Sequence, residues 1–372
     1  MTGKRATYLD WNANAPMRPE AIEAIARALS LCGNPSSVHR FGRRARQAIE
    51  AARVAVAALV NAAPEDVIFT SGGTESNNLA LKALPERCVL VSAIEHDSVL
   101  AAAPEARRIP MTPSGVVDLD ALEAMLAEDN RPALVSVMFA NNETGVIQPA
   151  AEIARIAHAH HALYHCDAVQ GPGKAMVDFH GLGADLMTIS AHKIGGPMGT
   201  GALVARGDLA LKPLIAGGGQ ERGRRGGTEN LPGIVGFGAA AKLAVEETSA
   251  APRMAALRDM AERRLQAVAP AARVFGGEAA RLPNTLCIQM PRVASATQVM
   301  ALDLAGVMVS AGAACSSGKV TRSHVLDAMG VPPADAECAI RISLGWRTES
   351  ADIDHLVEAW TALYVRSQAS AA

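Results

Sequence analysis

The stretch Leu186-Met187-Thr188-Ile189-Ser190-Ala191-His192-Lys193 decides how this chain is read. An apolar run of strand character breaks into a polar turn and then into Gly195-Gly196-Pro197, leaving a lysine just past the carboxyl end of a buried strand. Upstream, Leu163-Tyr164-His165-Cys166-Asp167-Ala168 is a second such run, with an acid at its carboxyl end and Gln170 just beyond. Further short apolar runs lie at 67–71, 88–93, 133–140 and 201–205, and helical patterns at 75–84, 118–129 and 150–161 fall between several of them. This alternation predicts a largely parallel α/β sheet with helices on both faces. Ligands of such sheets gather beyond the carboxyl ends of the strands. Thr74, His96, Asp167 and Lys193 all fall there.

A lysine placed to hold an aldehyde and an acid placed to hold a pyridine nitrogen together read as a pyridoxal phosphate site. The cofactor is an electron sink only while its ring nitrogen stays protonated, which a neighbouring carboxylate ensures. A seat for the phosphate is offered by Phe69-Thr70-Ser71-Gly72-Gly73-Thr74-Glu75, where glycines let backbone N–H groups approach an anion at the start of a helix. Taken singly, each feature has a plainer reading. Asp167 can cap the segment after its strand, Lys193 can be an ion-pair partner, and Gly72-Gly73 can be a simple connection with Thr74 as the helix N-cap. Their shared position at the strand ends is what favours a common site.

Composition bounds the function classes. The chain has 372 residues, a formal net charge of −2 and 49% hydrophobic residues, so a basic nucleic-acid surface is not expected. Aromatics make up only 3%, which leaves Ala, Val, Leu, Ile and Met to pack the core. No apolar stretch approaches the length of a membrane span, and Met1 to Arg5 lead at once into Tyr8-Leu9-Asp10 without the apolar core of a signal peptide. The expected compartment is the cytoplasm. Cys32, Cys88, Cys166, Cys287, Cys315 and Cys338 show no C-x-x-C spacing, against a disulfide framework or a zinc site. His158, His160 and His161 sit at the polar end of a predicted helix and read as a solvated face rather than a metal centre.

Helices are predicted at 19–32 and 40–60, and again at 229–248 and 252–267. Beyond these the pattern changes to strands at 284–290 and 338–344, helices at 296–305 and 323–329, and a last amphipathic helix over 351–366. Two domains are expected: a large cofactor-binding domain over 16–255, and a smaller α+β domain made of 1–15 and 256–372. The second carries Ser310-Ala311-Gly312-Ala313-Ala314-Cys315-Ser316-Ser317-Gly318-Lys319, a loop of small and polar residues. A thiol there with Lys319 nearby has scope for thiolate character. Composition leaves open whether Cys315 is reactive or simply one more small residue.

Several runs, taken in order, resemble cysteine desulfurases of the NifS type, which are fold-type I pyridoxal enzymes of the class V aminotransferase group. They are Gly33-Asn34-Pro35-Ser36-Ser37-Val38-His39, Thr70 to Asn78, Glu95-His96, Asn141-Asn142-Glu143-Thr144-Gly145, Asp167-Ala168-Val169-Gln170, Ser190 to Lys193, Gly217 to Gly223 with Gly227-Thr228, and Arg341-Ile342-Ser343-Leu344-Gly345. The resemblance spans nearly the whole chain and implies an aspartate-aminotransferase-like fold. It implies Lys193 as the Schiff-base lysine, Asp167 on the ring nitrogen, Gln170 on the ring hydroxyl and His96 on the ring face. Gly73, Thr74, Ser190 and His192 would seat the phosphate, with Thr228 reaching it from the second subunit of a homodimer. Asn142 and Arg341 would take the carboxylate of L-cysteine; a guanidinium suits a carboxylate through two parallel hydrogen bonds. Catalysis would rest on Lys193, Cys315 and His96. Cys315 would carry the sulfur as a persulfide to acceptor proteins such as an iron–sulfur scaffold.

Two segments depart from the family pattern. Asp10-Trp11-Asn12-Ala13-Asn14-Ala15 lacks the hydroxyls of the usual Asn-Ala-Thr-Thr run, and Lys319 to Arg322 differ from the relatives between Cys315 and Ser323. Selenocysteine lyase and small-amino-acid aminotransferase are the alternatives on the same cofactor. A phosphate-binding regulatory protein is the alternative that is not an enzyme.

Overall fold

The computed structural model describes residues 6–129, 131–312 and 322–369. Its strands are β1 (Thr7–Tyr8), β2 (Val67–Thr70), β3 (Cys88–Ser92), β4 (Arg107–Ile109), β5 (Ala133–Ser136), β6 (Leu163–Asp167), β7 (Leu186–Ser190), β8 (Gly201–Ala205), β9 (Thr285–Gln289), β10 (Val307–Met308), β11 (Ser310–Ala311) and β12 (Ala339–Ser343). Seven of them form one sheet in the order β2-β8-β7-β6-β5-β3-β4. The pairings are parallel from β7 through β6, β5 and β3 to β4, and only β8 runs against its neighbours. Strands β2, β5, β6, β7 and β8 are buried along their whole length, which explains why they read as unbroken apolar runs rather than as alternating ones.

Register brings the strand ends together. Ser190 at the end of β7 and Thr70 at the end of β2 both lie opposite Gly201, and Asp167 lies opposite Thr188. Gly201 has to be glycine because a Cβ there would stand 2.7 Å from the Gly72 backbone. The close approach lets the turn after β2 sit over the end of β7.

Helices cover both faces. Arg40–Leu59 and Leu231–Glu247 pack on each other and on Phe69 and Val204 through Ala45, Ile49, Ala52, Val56, Phe237 and Ala241. The opposite face is closed by Leu79, Ala80, Val91, Val99, Leu186 and Leu203. With few aromatics available, alanine at these contacts lets the backbones approach closely, and density is reached with small side chains.

A second apolar cluster joins Leu9, Leu265, Leu286, Ile288, Ile340, Ile342, Leu356 and Trp360. It lies around a three-stranded antiparallel sheet, β11-β12-β9, with β1 and β10 paired in parallel beside it. Helices Ala251–Val268 and Ser350–Ala369 pack together against it. Asp10 then bridges to Ser343, so the N-terminal segment runs from this sheet toward the large one.

The sequence-based elements need small corrections. The run at 133–140 leaves regular pairing after Ser136, yet Val137 and Phe139 still donate to the carbonyls of His165 and Asp167 as the chain continues beside β6. The helix after β2 starts at Gly73, and Gly72 rather than Thr74 holds the N-cap position. Among the described residues no helix is long and apolar enough to cross a membrane. His158 hydrogen bonds the buried Asp185 at 2.9 Å, and Asp185 also accepts from Arg206 and from the Tyr164 N–H.

Candidate active site

Strand ends and the N-terminal segment enclose a cavity of about 390 Å³. That size lies within the ~300–1,000 Å³ usual for small-molecule sites. Gly73, Thr74, His96, Asn142, Asp167, Gln170, Ser190, His192, Lys193 and Arg341 all line it. Thr228 is exposed and is not among the lining residues. Cys315 lies outside the described residues, but Gly312, the last described residue before it, lines the cavity.

Lys193 ends a 3-10 turn, Ala191–Lys193, that follows β7 directly. Its amine donates to the carbonyls of Asn12 at 2.5 Å and Ala13 at 2.8 Å. Burial lowers its pKa to about 8, with Arg341 pushing the same way and Asp10 and Asp167 opposing. The turn is held by the N-terminal segment: Ala15 N–H donates to the His192 carbonyl and Arg18 N–H to that of Gly195. At Gly195 a Cβ would meet Trp346 at 2.6 Å and φ is +78°, so glycine is required on two counts.

Asp167 closes β6 and is 6% exposed. Asn77 Nδ2 donates to its Oδ2 at 2.7 Å and Val169 N–H to its Oδ1 at 3.0 Å. Three residues on from Thr74, Asn77 faces inward from the first turns of the helix, and it also donates to Ser98 Oγ at 2.8 Å. Both carboxylate oxygens are thus oriented while one side of the group still faces the cavity.

His96 follows β3 and caps the short helix Asp97–Leu100, its Nδ1 accepting from Ser98 N–H at 3.0 Å. The ring is therefore fixed by its capping role while it remains exposed at the cavity. His192 pairs its Nδ1 with Ser190 Oγ at 2.8 Å. Burial, helped by Lys193, Lys174 and His96, drives its pKa down to about 4, so the imidazole is neutral at neutral pH.

Arg341 arrives from the other sheet. It sits on β12, the middle strand of three, and is 5% exposed, so it is neither on a sheet edge nor at the surface. It donates to Asp10 Oδ1 at 2.7 Å and to the Asn142 carbonyl at 3.1 Å, while its buried Nε has no partner among the described residues. A buried guanidinium that lines a cavity suits an anionic ligand.

Two contributors were not legible as such. Asn12 donates from Nδ2 to the Asn142 carbonyl and Thr285 Oγ1, and its own carbonyl accepts from both Lys193 and Gln170. Lys174 buries its amine between Asn12 Oδ1 at 3.1 Å and Gln170 Oε1 at 2.5 Å. The segment missing its hydroxyls at positions 14 and 15 is thus the hub of the cavity floor through the neighbouring amide.

The five described cysteines are free. Cys166 and Cys287 are fully buried and burial pushes both thiols up, as expected of packing residues. Cys32, by contrast, is exposed after the first helix rather than packed.

Comparison with known proteins shows the family of the chain. The family model "Aminotransferase class-V" matches residues 7–356. A cysteine desulfurase of Cereibacter sphaeroides is 44% identical over 366 residues, covering 94% of either chain. The cysteine desulfurase IscS of Dictyoglomus turgidum is 40% identical, over 95% of this chain and 93% of that one. The X-ray structure of a NifS-like protein from Rickettsia africae superposes with a TM-score of 0.91 at 37% identity, covering 97% of this chain and 99% of the other.

Proposed function

Because the chain belongs to the aminotransferase class-V family, we propose that it is a pyridoxal-phosphate-dependent cysteine desulfurase. It converts L-cysteine to L-alanine and holds the released sulfur as a persulfide on Cys315. The observation that carries this reading is the single cavity in which a lysine of lowered pKa, an oriented carboxylate and a buried arginine converge.

The residues fit the cofactor. Lys193 offers the amine, Asp167 the partner for the ring nitrogen, Gln170 the donor for the ring oxygen and His96 the face. The first turn of the helix at Gly73 and Thr74, with Ser190 and His192, offers neutral donors for a phosphate. Because His192 uses Nδ1 toward Ser190, its Nε2 remains for the anion. When bound, pyridoxal phosphate supplies the electron sink for charge developing at the substrate Cα.

The protein's own groups do the rest. Arg341 and the Asn142 side chain hold the substrate carboxylate and so fix which bond at Cα faces Lys193. Lys193, with a pKa near 8, has a usable neutral fraction at physiological pH and takes the Cα proton. The Cys315 thiolate forms an S–S bond to the substrate sulfur as the substrate Cβ–S bond breaks, the electron pair of that bond staying with the carbon skeleton. Lys193 and His96 return and relay the protons, and alanine leaves. One sulfur atom moves and no outside oxidant or reductant is consumed.

The chain acts as a cytoplasmic homodimer in this reading. The exposure of Thr228, away from the cavity of its own chain, supports a role across a subunit boundary. The persulfide passes to acceptor proteins for iron–sulfur cluster or other sulfur-cofactor assembly. The test is to supply L-cysteine and a thiol reductant and measure alanine and sulfide, which should form one for one. Amino-group transfer without sulfide would make the chain an aminotransferase instead, and a much faster reaction with selenocysteine would make it a lyase for that substrate.

A further inference from the structure

Lys174 is a buried lysine with no described carboxylate partner. It is 7% exposed, in the turn after β6, and among the described residues its amine meets only the side-chain oxygens of Asn12 and Gln170. The charged groups that bear on it, Lys193 and Arg341, are both cations. Leaving an amine in such a place is costly unless it has work to do. Burial and those two cations push its pKa down, and it donates to the two amide oxygens.

The consequence lies in the direction of the Gln170 amide. A lysine amine in this contact donates, so the atom it meets at 2.5 Å must be Oε1. Nε2 is then turned toward the Asn12 carbonyl, to which it donates at 3.0 Å, and its second hydrogen is left for the cavity that Gln170 lines. Rotating the amide by half a turn would set N–H against N–H at Lys174 and oxygen against oxygen at Asn12, losing both bonds. Asn12 is locked in the same way. Its Oδ1 accepts from Lys174 and from Asn284, its Nδ2 donates to Asn142 and Thr285, and its carbonyl accepts from Lys193.

We propose that Lys174 is a positioning residue that holds the Gln170 amide with its N–H toward the cofactor ring oxygen and, through Asn12, fixes the floor beneath Lys193. This rests on the pyridoxal phosphate reading above. Lys174 itself does not touch the ring; it acts through Gln170.

The test is a pH titration of the visible absorption band of the chain loaded with pyridoxal phosphate. A donor to the ring oxygen stabilises the fully ionised chromophore, so its loss raises the pH midpoint of the band. Lys174→Met, which keeps length and removes the donor, should raise the midpoint by about one pH unit or more, the size of one hydrogen bond to a charged oxygen. Gln170→Leu should raise it by a similar amount, and the double variant should go no further than either single one. Lys193, Arg341, Asp10, Asp167 and His192 also act on this midpoint, and all variants leave them in place. Shifts that add in the double variant, or a midpoint that Lys174→Met leaves unmoved, overturn the proposal. If Lys174→Met does not fold, Gln170→Leu alone decides, because an unmoved midpoint there removes the contact through which Lys174 is said to act. A wild-type chain that takes up no band fails the cofactor reading itself, and the proposal with it.

Discussion

In the cofactor-free chain the Lys193 amine should titrate near pH 8, far below the ordinary 10.5. The difference corresponds to roughly 3 kcal/mol disfavouring the ammonium form. Its causes are burial first and the guanidinium of Arg341 second, with Asp10 and Asp167 pulling the other way. At pH 7 about one amine in ten would be neutral, against roughly one in three thousand for an unperturbed lysine. Competitive acetylation across a pH series, read by mass spectrometry against a lysine in an unstructured peptide, gives the midpoint independently of accessibility. Arg341→Met removes the second cause and should move the midpoint up. The sign for stability follows by linkage. Between about pH 8 and 10.5 the unfolded chain binds a proton that the folded chain does not, so this group makes folding more favourable as pH rises through that window, and its cost is fully present below it. A wild-type midpoint at the ordinary lysine value, or a midpoint that falls in Arg341→Met, would refute the reasoning.

Other outcomes follow from the same contacts. Cys315→Ala should keep the visible cofactor band and lose sulfide release, measured with L-cysteine and a thiol reductant; release at the full rate would move the nucleophile elsewhere. Arg341→Lys keeps the charge but loses the planar fork, so kcat/KM for cysteine should fall about 100-fold, seen in steady-state kinetics. Arg53 meets both oxygens of the buried Glu221 at 2.7 and 2.8 Å, and Glu221 also accepts from Phe69 N–H, which ties the Gly217 to Thr228 segment to β2. Glu221→Gln should cost about 3 kcal/mol in denaturant unfolding; unchanged stability would show the pair to be dispensable.

How much of this was legible depends on the length of the pattern. Strands such as Leu186–Ser190 and helices such as Arg40–Leu59 carry enough residues for a period, and they lie within a residue or two of their expected ends. Strands of two or three residues, Thr7–Tyr8, Arg107–Ile109, Val307–Met308 and Ser310–Ala311, carry no period and were invisible. That Asp167, Lys193, Thr74 and His96 line one cavity could be expected because strand ends in this architecture point to one edge, a rule that local sequence can apply. The places of Asn12 and Lys174 could not be, because their meaning lies in partners distant in the chain: Asn12 binds Thr285 across 273 positions and Lys174 across 162. Without those contacts Asn12 is one residue of an altered motif and Lys174 a charge in a glycine-rich turn. Thr228 is the opposite case, a residue named by resemblance that is exposed and does not line the cavity of its own chain.

The most direct measurement is borohydride reduction of the chain loaded with pyridoxal phosphate, followed by digestion and peptide mass spectrometry. The adduct should fall on the peptide carrying Lys193, with the visible band bleached in step. An adduct on Lys174 or another lysine, or no adduct at all, would contradict the reading of the lysine after β7 as the residue around which the cavity is built.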